Sequence, residues 1–248
     1  MELCDIHTHL VYGVDDGPPS LDEALKGLRA LRDLGFTLVA ATPHRRTALF
    51  PDMRAEIPRR FEELRAAAGS EGLRVELRLG AEYFFGDDLF EDFGSGGVQR
   101  LGAGNKFVLV EFQKFSIQEF HKNFIFKMSL RGLVPVLAHP ERADMSSSSA
   151  RDMFDYLVGN GALVQCDLLS LVGEFGWGTH TTDRVLELVD RGIPAAFSTD
   201  LHCTAREIEL LPRAIEVLTA RVGVERTAAL LGDNPRQILA GKRPKGPA

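Results

Sequence analysis

Two histidines separated by a single residue, His7 and His9, follow the apolar run Leu3-Cys4-Asp5-Ile6, and Asp16 lies a few residues further on. In an extended chain, side chains two apart point to the same side, so both imidazoles can meet one ion. Imidazole and carboxylate together form a donor set for a divalent metal. An isolated His-x-His is usually incidental, but here the rest of the chain repeats the pattern. His44, Glu82, Glu111, His139, Asp200 and His202 each come directly after a run that reads as a buried strand. Five of the seven histidines fall at such ends, leaving His121 within a helix and His180 near a helix start. Chance alone would not place them so.

The elements that must position these residues alternate strand with helix. The strand runs are Leu3 to Ile6, Phe36 to Ala41, Leu73 to Leu79, Lys106 to Val110, Val134 to Ala138, Ala162 to Gln165 and Ile193 to Phe197. Ser20-Leu21-Asp22-Glu23 has capping-box spacing and opens a helix striped by Leu21, Leu25, Leu28 and Leu31, with Gly35 as its stop. A second helix is expected over Met53 to Ala68, with Pro58 as a kink point. Ser116-Ile117-Gln118-Glu119 is another capping box, leading a helix to about Arg131. Helices over Arg151 to Val158 and Thr182 to Asp190 precede the last strands, and Asn234-Pro235 starts the final helix. Seven strands at this spacing predict βα units in a parallel sheet. In a parallel α/β barrel the strand ends converge on one face, where active sites are built.

A chain of 248 residues with a net charge of −6 suits a soluble globular protein and argues against a broad nucleic-acid surface. No apolar run reaches membrane-spanning length, and the N-terminus lacks a signal peptide's layout, so a cytoplasmic protein without a transmembrane segment is expected. Cys4, Cys166 and Cys203 have no close-paired spacing, which indicates neither a disulfide framework nor a structural zinc site. The basic tail around Lys242-Arg243-Pro244-Lys245 reads as a solvated end.

The motifs Asp5-Ile6-His7-Thr8-His9, Val14-Asp15-Asp16-Gly17-Pro18, Thr42-Pro43-His44 and Gly80-Ala81-Glu82 form one part of a larger set. It continues through Val110-Glu111, Ala138-His139-Pro140-Glu141-Arg142, Ser198-Thr199-Asp200-Leu201-His202 and Asn234-Pro235. This set resembles the polymerase-and-histidinol-phosphatase (PHP) superfamily, and within it the CpsB/YwqE-type tyrosine phosphatases of capsular and exopolysaccharide synthesis. The likeness spans nearly the whole chain. It implies a distorted TIM-like (β/α)7 barrel and one catalytic domain over 1–248, with a flexible tail from about 243.

The resemblance further implies three divalent ions, manganese first, with iron, cobalt or zinc as alternatives. One ion would be held by His7, His9, Glu82 and Asp200. A second would share Glu82 with Glu111 and His139, and a third would take Asp16, His44 and His202. Arg142 matches the arginine of the family's His-Pro-Glu-Arg motif. Arg206 arrives about one residue early for the family's later arginine, and Gln165-Cys166-Asp167 stands where the family carries Ile-Asn. The implied function is phosphomonoester hydrolysis by a metal-activated hydroxide, acting on a phosphotyrosine protein, the tyrosine autokinase of polysaccharide export. A small-molecule phosphatase such as a histidinol-phosphate phosphatase is the alternative. A non-catalytic PHP-type module is a third reading, disfavoured because no ligand is missing.

The residues themselves support this chemistry. Three divalent ions against four carboxylates leave the site about two positive charges, which suits a phosphate dianion. A thiol route requires Cys-x5-Arg, yet Leu10, Val172 and Glu209 stand six residues after the three cysteines. Phe107, Phe112, Phe115, Phe120, Phe124 and Phe126 read mostly as barrel and helix core, although a slot for a tyrosyl ring is the other reading. Asp15 reads as a turn residue, and Asp5 as a group behind the first ligands that orients them. Trp177 either closes over the site or fills a loop.

Overall fold

The computed structural model describes residues 2–102, 106–112, 119–173 and 179–244. Phe115, the Ser116 capping box, Trp177 and the tail residues 245–248 lie outside the described residues. Among the described residues the strands are β1 (Leu3–Thr8), β2 (Phe36–Ala41), β3 (His44–Arg45), β4 (Glu76–Leu79) and β5 (Glu82–Phe84). They continue with β6 (Phe107–Glu111), β7 (Val134–Ala138), β8 (Leu163–Asp167) and β9 (Ala196–Ser198). The helices are α1 (Leu21–Asp33), α2 (Ile57–Ser70), α3 (Asp87–Ser95), α4 (Glu119–Leu130) and α5 (Ser148–Gly159). They end with α6 (Thr179–Asp190), α7 (Ala205–Val222), α8 (Val224–Ala228) and α9 (Asn234–Leu239).

The seven strand runs of the sequence correspond to seven chain passages, two of them interrupted. The second is broken at Thr42-Pro43 into β2 and β3, and the third at Gly80-Ala81 into β4 and β5. Every ladder is parallel, and the passages lie in sequence order. The breaks divide the ladders into a sheet β1-β2-β4 and a sheet β3-β5-β6-β7-β8-β9. The expected seven-stranded barrel is thus met in part: a parallel α/β fold is present, but its ladders form two open sheets and not a closed one. The first and last passages form no extended ladder among the described residues and meet at an isolated bridge between Thr8 and Leu201. Around it, the His9 amide donates to the Leu201 carbonyl and the Asp200 amide to the His7 carbonyl, each at 3.0 Å.

Apart from β4, whose Glu76 and Arg78 are exposed, the strands are buried on both faces, as parallel strands covered by helices must be. A smaller apolar cluster joins Cys4 and Ile6 of β1, Leu38 of β2, Leu109 of β6, Val136 of β7, Leu163 of β8 and Ala196 of β9. Since it draws on both sheets, the two wrap a common interior. The larger cluster lies between strands and helices, with Leu28 and Leu31 of α1 and Phe154 of α5 among its fully buried members.

Local chemistry sets the element ends. Ser20 caps α1 by accepting the Glu23 amide at 3.3 Å, and Gly35 ends that passage at φ 98°, a conformation glycine adopts without strain. Pro58 lies in the first turn of α2, where its missing N–H is harmless, so it starts the helix and does not kink it. Helix α3, which the sequence pattern does not announce, follows β5 and closes on Gly96 at φ 79°.

Asp5 fastens β1 to the segment after β9. It is fully buried and accepts the Thr199 hydroxyl at 2.7 Å, the Thr199 amide at 3.2 Å and the His7 amide at 3.0 Å. The loops bearing His7 and Asp200 are therefore held by one carboxylate. Thr199→Val removes one charged hydrogen bond at nearly constant volume and should cost about 2 kcal/mol of stability. Urea denaturation reads this directly, and an unchanged midpoint would show that the hydroxyl contact holds nothing.

Candidate metal centre

Eight of the nine predicted ligands converge. Their donor atoms fall into three groups, each within 4.8 Å: His9, Asp16, His44 and His202; His7, Glu82 and His139; and His7, His9 and Asp200. His7, His9, His139, Asp200 and His202 stand near or beyond the C-terminal ends of strands, where parallel βα folds place their sites. His44 and Glu82 open β3 and β5 directly after the two breaks, and Asp16 lies in the loop after β1.

Glu82, the first residue of β5, sits at the centre and is fully buried. Its Oε2 lies 3.0 Å from His44 Nδ1, 3.3 Å from His7 Nε2 and 3.5 Å from His9 Nε2, while Oε1 meets His139 Nε2 at 3.0 Å. Asp200 Oδ1 is 3.1 Å from both His7 Nε2 and His9 Nε2, and those two nitrogens are 3.4 Å apart. Asp16 is half exposed at the mouth, with Oδ1 3.5 Å from His44 Nε2 and 3.4 Å from His202 Nε2. The rings of His9 and His202 stack at 4.1 Å.

These residues fit a cation. Glu82 Oε2, Asp200 Oδ1 and His44 Nδ1 are buried yet make no hydrogen bond, although several nitrogens crowd around the two oxygens. Lone-pair atoms packed this closely need positive charge among them. Burial acts most strongly on each group and disfavours its charged form, but the neighbours outweigh it. His7 and Arg142 help hold Asp200 well below the usual carboxylate range, and His7 and His44 do the same for Glu82. Asp15 raises His9 well above an ordinary histidine, Asp200 and Glu82 raise His7, and Asp200 with Asp16 brings His202 to about 10 despite burial and the nearby His9. Ligation requires these imidazoles in the neutral form, so binding a divalent cation here would be coupled to proton release.

Supporting residues fix the imidazoles. His7 Nδ1 donates to Gln165 Oε1 at 2.9 Å, which leaves Nε2 facing the carboxylates. The Gln165 amide is itself oriented by donating to the Cys166 carbonyl at 2.8 Å. Asp15 does more than shape a turn. Besides accepting the Gly17 amide, it pairs with His9 Nδ1 at 2.9 Å and takes the His44 amide at 2.9 Å. Such hydrogen bonds behind a ligand set its tautomer and orientation. Sequence reasoning gives Gln165 no role, since an amide is not a ligand type; its place at the end of the sixth strand run is the available signal.

The remaining predicted residues are placed differently. Glu111 ends β6 but joins none of the three groups; its Oε2 is buried without a hydrogen bond, 3.8 Å from Arg46 Nη1. Arg142 forks between two carboxylates, with Nη1 2.6 Å from Asp200 Oδ2 and Nη2 2.6 Å from Asp167 Oδ2. Arg206 is exposed on the first turn of α7. All three cysteines are buried, and burial pushes the Cys203 thiol up to about 12. Phe107, Phe112 and Phe124 are buried core as expected, whereas Phe120 and Phe126 are exposed.

Parallel βα units carrying a convergent imidazole–carboxylate site define a candidate metal-dependent hydrolase. The sequence profile of the family described as "Capsular polysaccharide synthesis, CpsB/CapC" matches residues 3–240, and the chain belongs to that family. The tyrosine-protein phosphatase CpsB of Streptococcus pneumoniae is 24% identical over 241 residues, covering 96% of this chain and 98% of that one. The fold superposes with a TM-score of 0.83, at 24% identity and 99% coverage of both chains, on a crystal structure from the set of Bacillus subtilis YwqE and S. pneumoniae CpsB. Those proteins are described as unique metal-dependent tyrosine phosphatases. An organophosphorus hydrolase variant from Deinococcus radiodurans shares the fold more distantly, with a TM-score of 0.58 over 96% of this chain and 92% of that chain.

Glu82 touches four imidazoles, whereas His44 meets the carboxylates of Glu82 and Asp16 at the edge of the cluster. Glu82→Ala should therefore strip more bound metal than His44→Ala. Metal analysis after exhaustive dialysis decides this, and equal retention in the two variants would remove Glu82 from the centre of the site.

Proposed function

We propose that the chain is a metal-dependent phosphotyrosine-protein phosphatase. The observation that carries this reading is the convergence of eight imidazole and carboxylate side chains around buried oxygens that lack hydrogen bonds. Membership of the CpsB/CapC family and the names of its relatives supply the substrate class. His7, His9, Asp16, His44, Glu82, His139, Asp200 and His202 would hold the ions, with Glu111 completing the set beside His139. We take manganese as the metal and three as the number of ions. Bound divalent ions supply Lewis acidity toward phosphoryl oxygens and lower the pKa of water toward neutrality.

The chain's own groups do the rest. Glu82 and Asp200 fix the spacing of the cluster, and Gln165 and Asp15 hold His7 and His9 in the ligating tautomer. Arg142 anchors Asp200 and would lend its positive charge to a phosphoryl group held beside that carboxylate. Arg206 would act at the rim of the site. The partner we propose is a tyrosine autokinase of polysaccharide export, encountered in the cytoplasm. Among the described residues no helix is long and apolar enough to cross a membrane. We further read the chain as one catalytic domain over 1–248 with a distorted barrel, which the shared interior and the Thr8–Leu201 bridge support.

Phosphotyrosine-peptide hydrolysis tests the reading. Chelation should abolish it and Mn²⁺ restore it, while replacing all three cysteines with alanine or serine should leave most of it. Activity surviving verified metal removal would refute the mechanism, and a preference for histidinol phosphate would redirect the substrate. Arg142→Ala should lower turnover roughly a hundredfold, the scale of losing a preorganised charge at a phosphoryl group. Arg206→Ala should cost less at saturating peptide; the reverse order would move the phosphoryl contact to Arg206.

A further inference from the structure

Just past the ladder that carries two of the site residues, one more side-chain contact joins the same two passages. His44 pairs with Glu82 across β3 and β5, and both belong to the metal cluster. Two residues further along the chain stand Arg46 and Phe84. Phe84 lies two residues beyond Glu82 in β5 and so shares its face, while Arg46 follows the end of β3. The Arg46 guanidinium lies over the Phe84 ring at 4.0 Å, and Phe84 is in register with Glu111 of β6. Arg46 also reaches Glu111 Oε2 at 3.8 Å. Beside the pair is a cavity of ≈ 310 Å³ lined by Arg46, Thr47, Ala48, Phe84, Gly86 and the acidic start of α3. Its wall is braced, because Thr47 donates its amide at 2.8 Å and its hydroxyl at 2.9 Å to Asp88. On the mouth side, Phe50 stacks on His44 at 4.9 Å.

We infer that the stacked Arg46–Phe84 pair is an aryl subsite, which receives the aromatic leaving group of a phosphate monoester whose phosphoryl group lies at the His44–Glu82 rung. This rests on the phosphatase reading and adds the residues that select an aryl ester over an alkyl one. The stacked guanidinium and phenyl ring offer an outer flat surface to an aromatic group and little to a short alkyl chain. The cavity is at the small end of the range that ligand pockets occupy, matching one side-chain ring. Arg46 gives the leaving oxygen a positive neighbour as well.

The test uses the manganese-loaded chain with phenylphosphonate and methylphosphonate, two non-hydrolysable probes that differ only in the organic group. Titration calorimetry should show tighter binding of phenylphosphonate to the native chain. Phe84→Leu keeps an apolar side chain, and Arg46→Lys keeps the charge beside Glu111 but loses the flat fork. Each should weaken phenylphosphonate by about fivefold, the scale of one cation–aromatic contact, and leave methylphosphonate within about twofold. Melting profiles and metal content of the variants establish that they are folded and loaded. Equal affinity of the native chain for both probes, or equal weakening of both probes in the variants, would overturn the subsite. Hydrolysis of p-nitrophenyl phosphate by the same preparations separates this from the wider reading. Turnover without aryl selectivity removes the subsite and leaves the phosphatase standing, whereas aryl-selective binding without turnover supports the subsite and removes the phosphatase.

Discussion

A carboxylate withdrawn completely from water is costly unless opposite charge surrounds it, and Glu82 meets this condition through four imidazoles. The rest of the structure answers to that requirement. His7 and His9 arrive from the first strand passage, His44 from the second and His139 from the fifth, so four segments must end at one point. Parallel strands in sequential order bring their C-terminal ends there. Interruptions at Thr42-Pro43 and Gly80-Ala81 let the second and third passages turn as they reach the site, while hydrogen bonds from Gly80 to Ala41 and from Glu82 to Pro43 keep them together.

Convergence also demands unusual backbone. His139 has φ 29° and Asp200 φ 47°, in the left-handed region that glycine enters freely and other residues avoid. Glycine would relieve the strain but carries no donor atom. Strain of about 1–3 kcal/mol at such positions persists only where surrounding contacts over-determine it. Here those contacts are the Asp5–Thr199 bonds, the Asp200–His7 backbone bond and the short 3₁₀ turn Pro140–Arg142 that follows His139.

Much of this is legible in the sequence because metal ligands leave a sharp mark. Histidine and acidic residues seldom stand directly after one apolar run upon another unless an ion draws them together, and seven such runs announce the βα order. Where sequence reasoning falls short, the missing information is geometric. Strand runs do not show where a ladder will break, so two open sheets replace the expected closed one. Helix α3 follows β5 through only Phe85 and Gly86, and its nine residues Asp87–Ser95 are too short for a clear apolar stripe. Gln165 and Asp167 act on the site through hydrogen bonds to His7 and Arg142, and neither spacing nor residue type marks such partners. The two roles of Asp15 become visible only once His9 and His44 are seen to meet it. Arg46 is hidden for a similar reason, since its neighbours Phe84 and Glu111 come from other strands.

The joining of β1 to the segment after β9 has a consequence for how the protein is made. The Ile6 amide bonds to Ser198 across 192 positions, and Asp5 bonds to Thr199 across 194. A ribosome therefore delivers His7 and His9 first and must translate most of the chain before their counterparts Asp200 and His202 exist. Throughout that interval the first strand has only β2 beside it, and its buried aspartate has no hydroxyl to hold. Contacts this distant along the chain slow folding, because a long loop must close before any of them forms. A polypeptide halted before residue 196 contains every described strand but β9 and lacks both Asp200 and His202. Completion of the candidate metal centre is thus a late event in the life of the nascent chain, and it reports that synthesis has passed the seventh strand run.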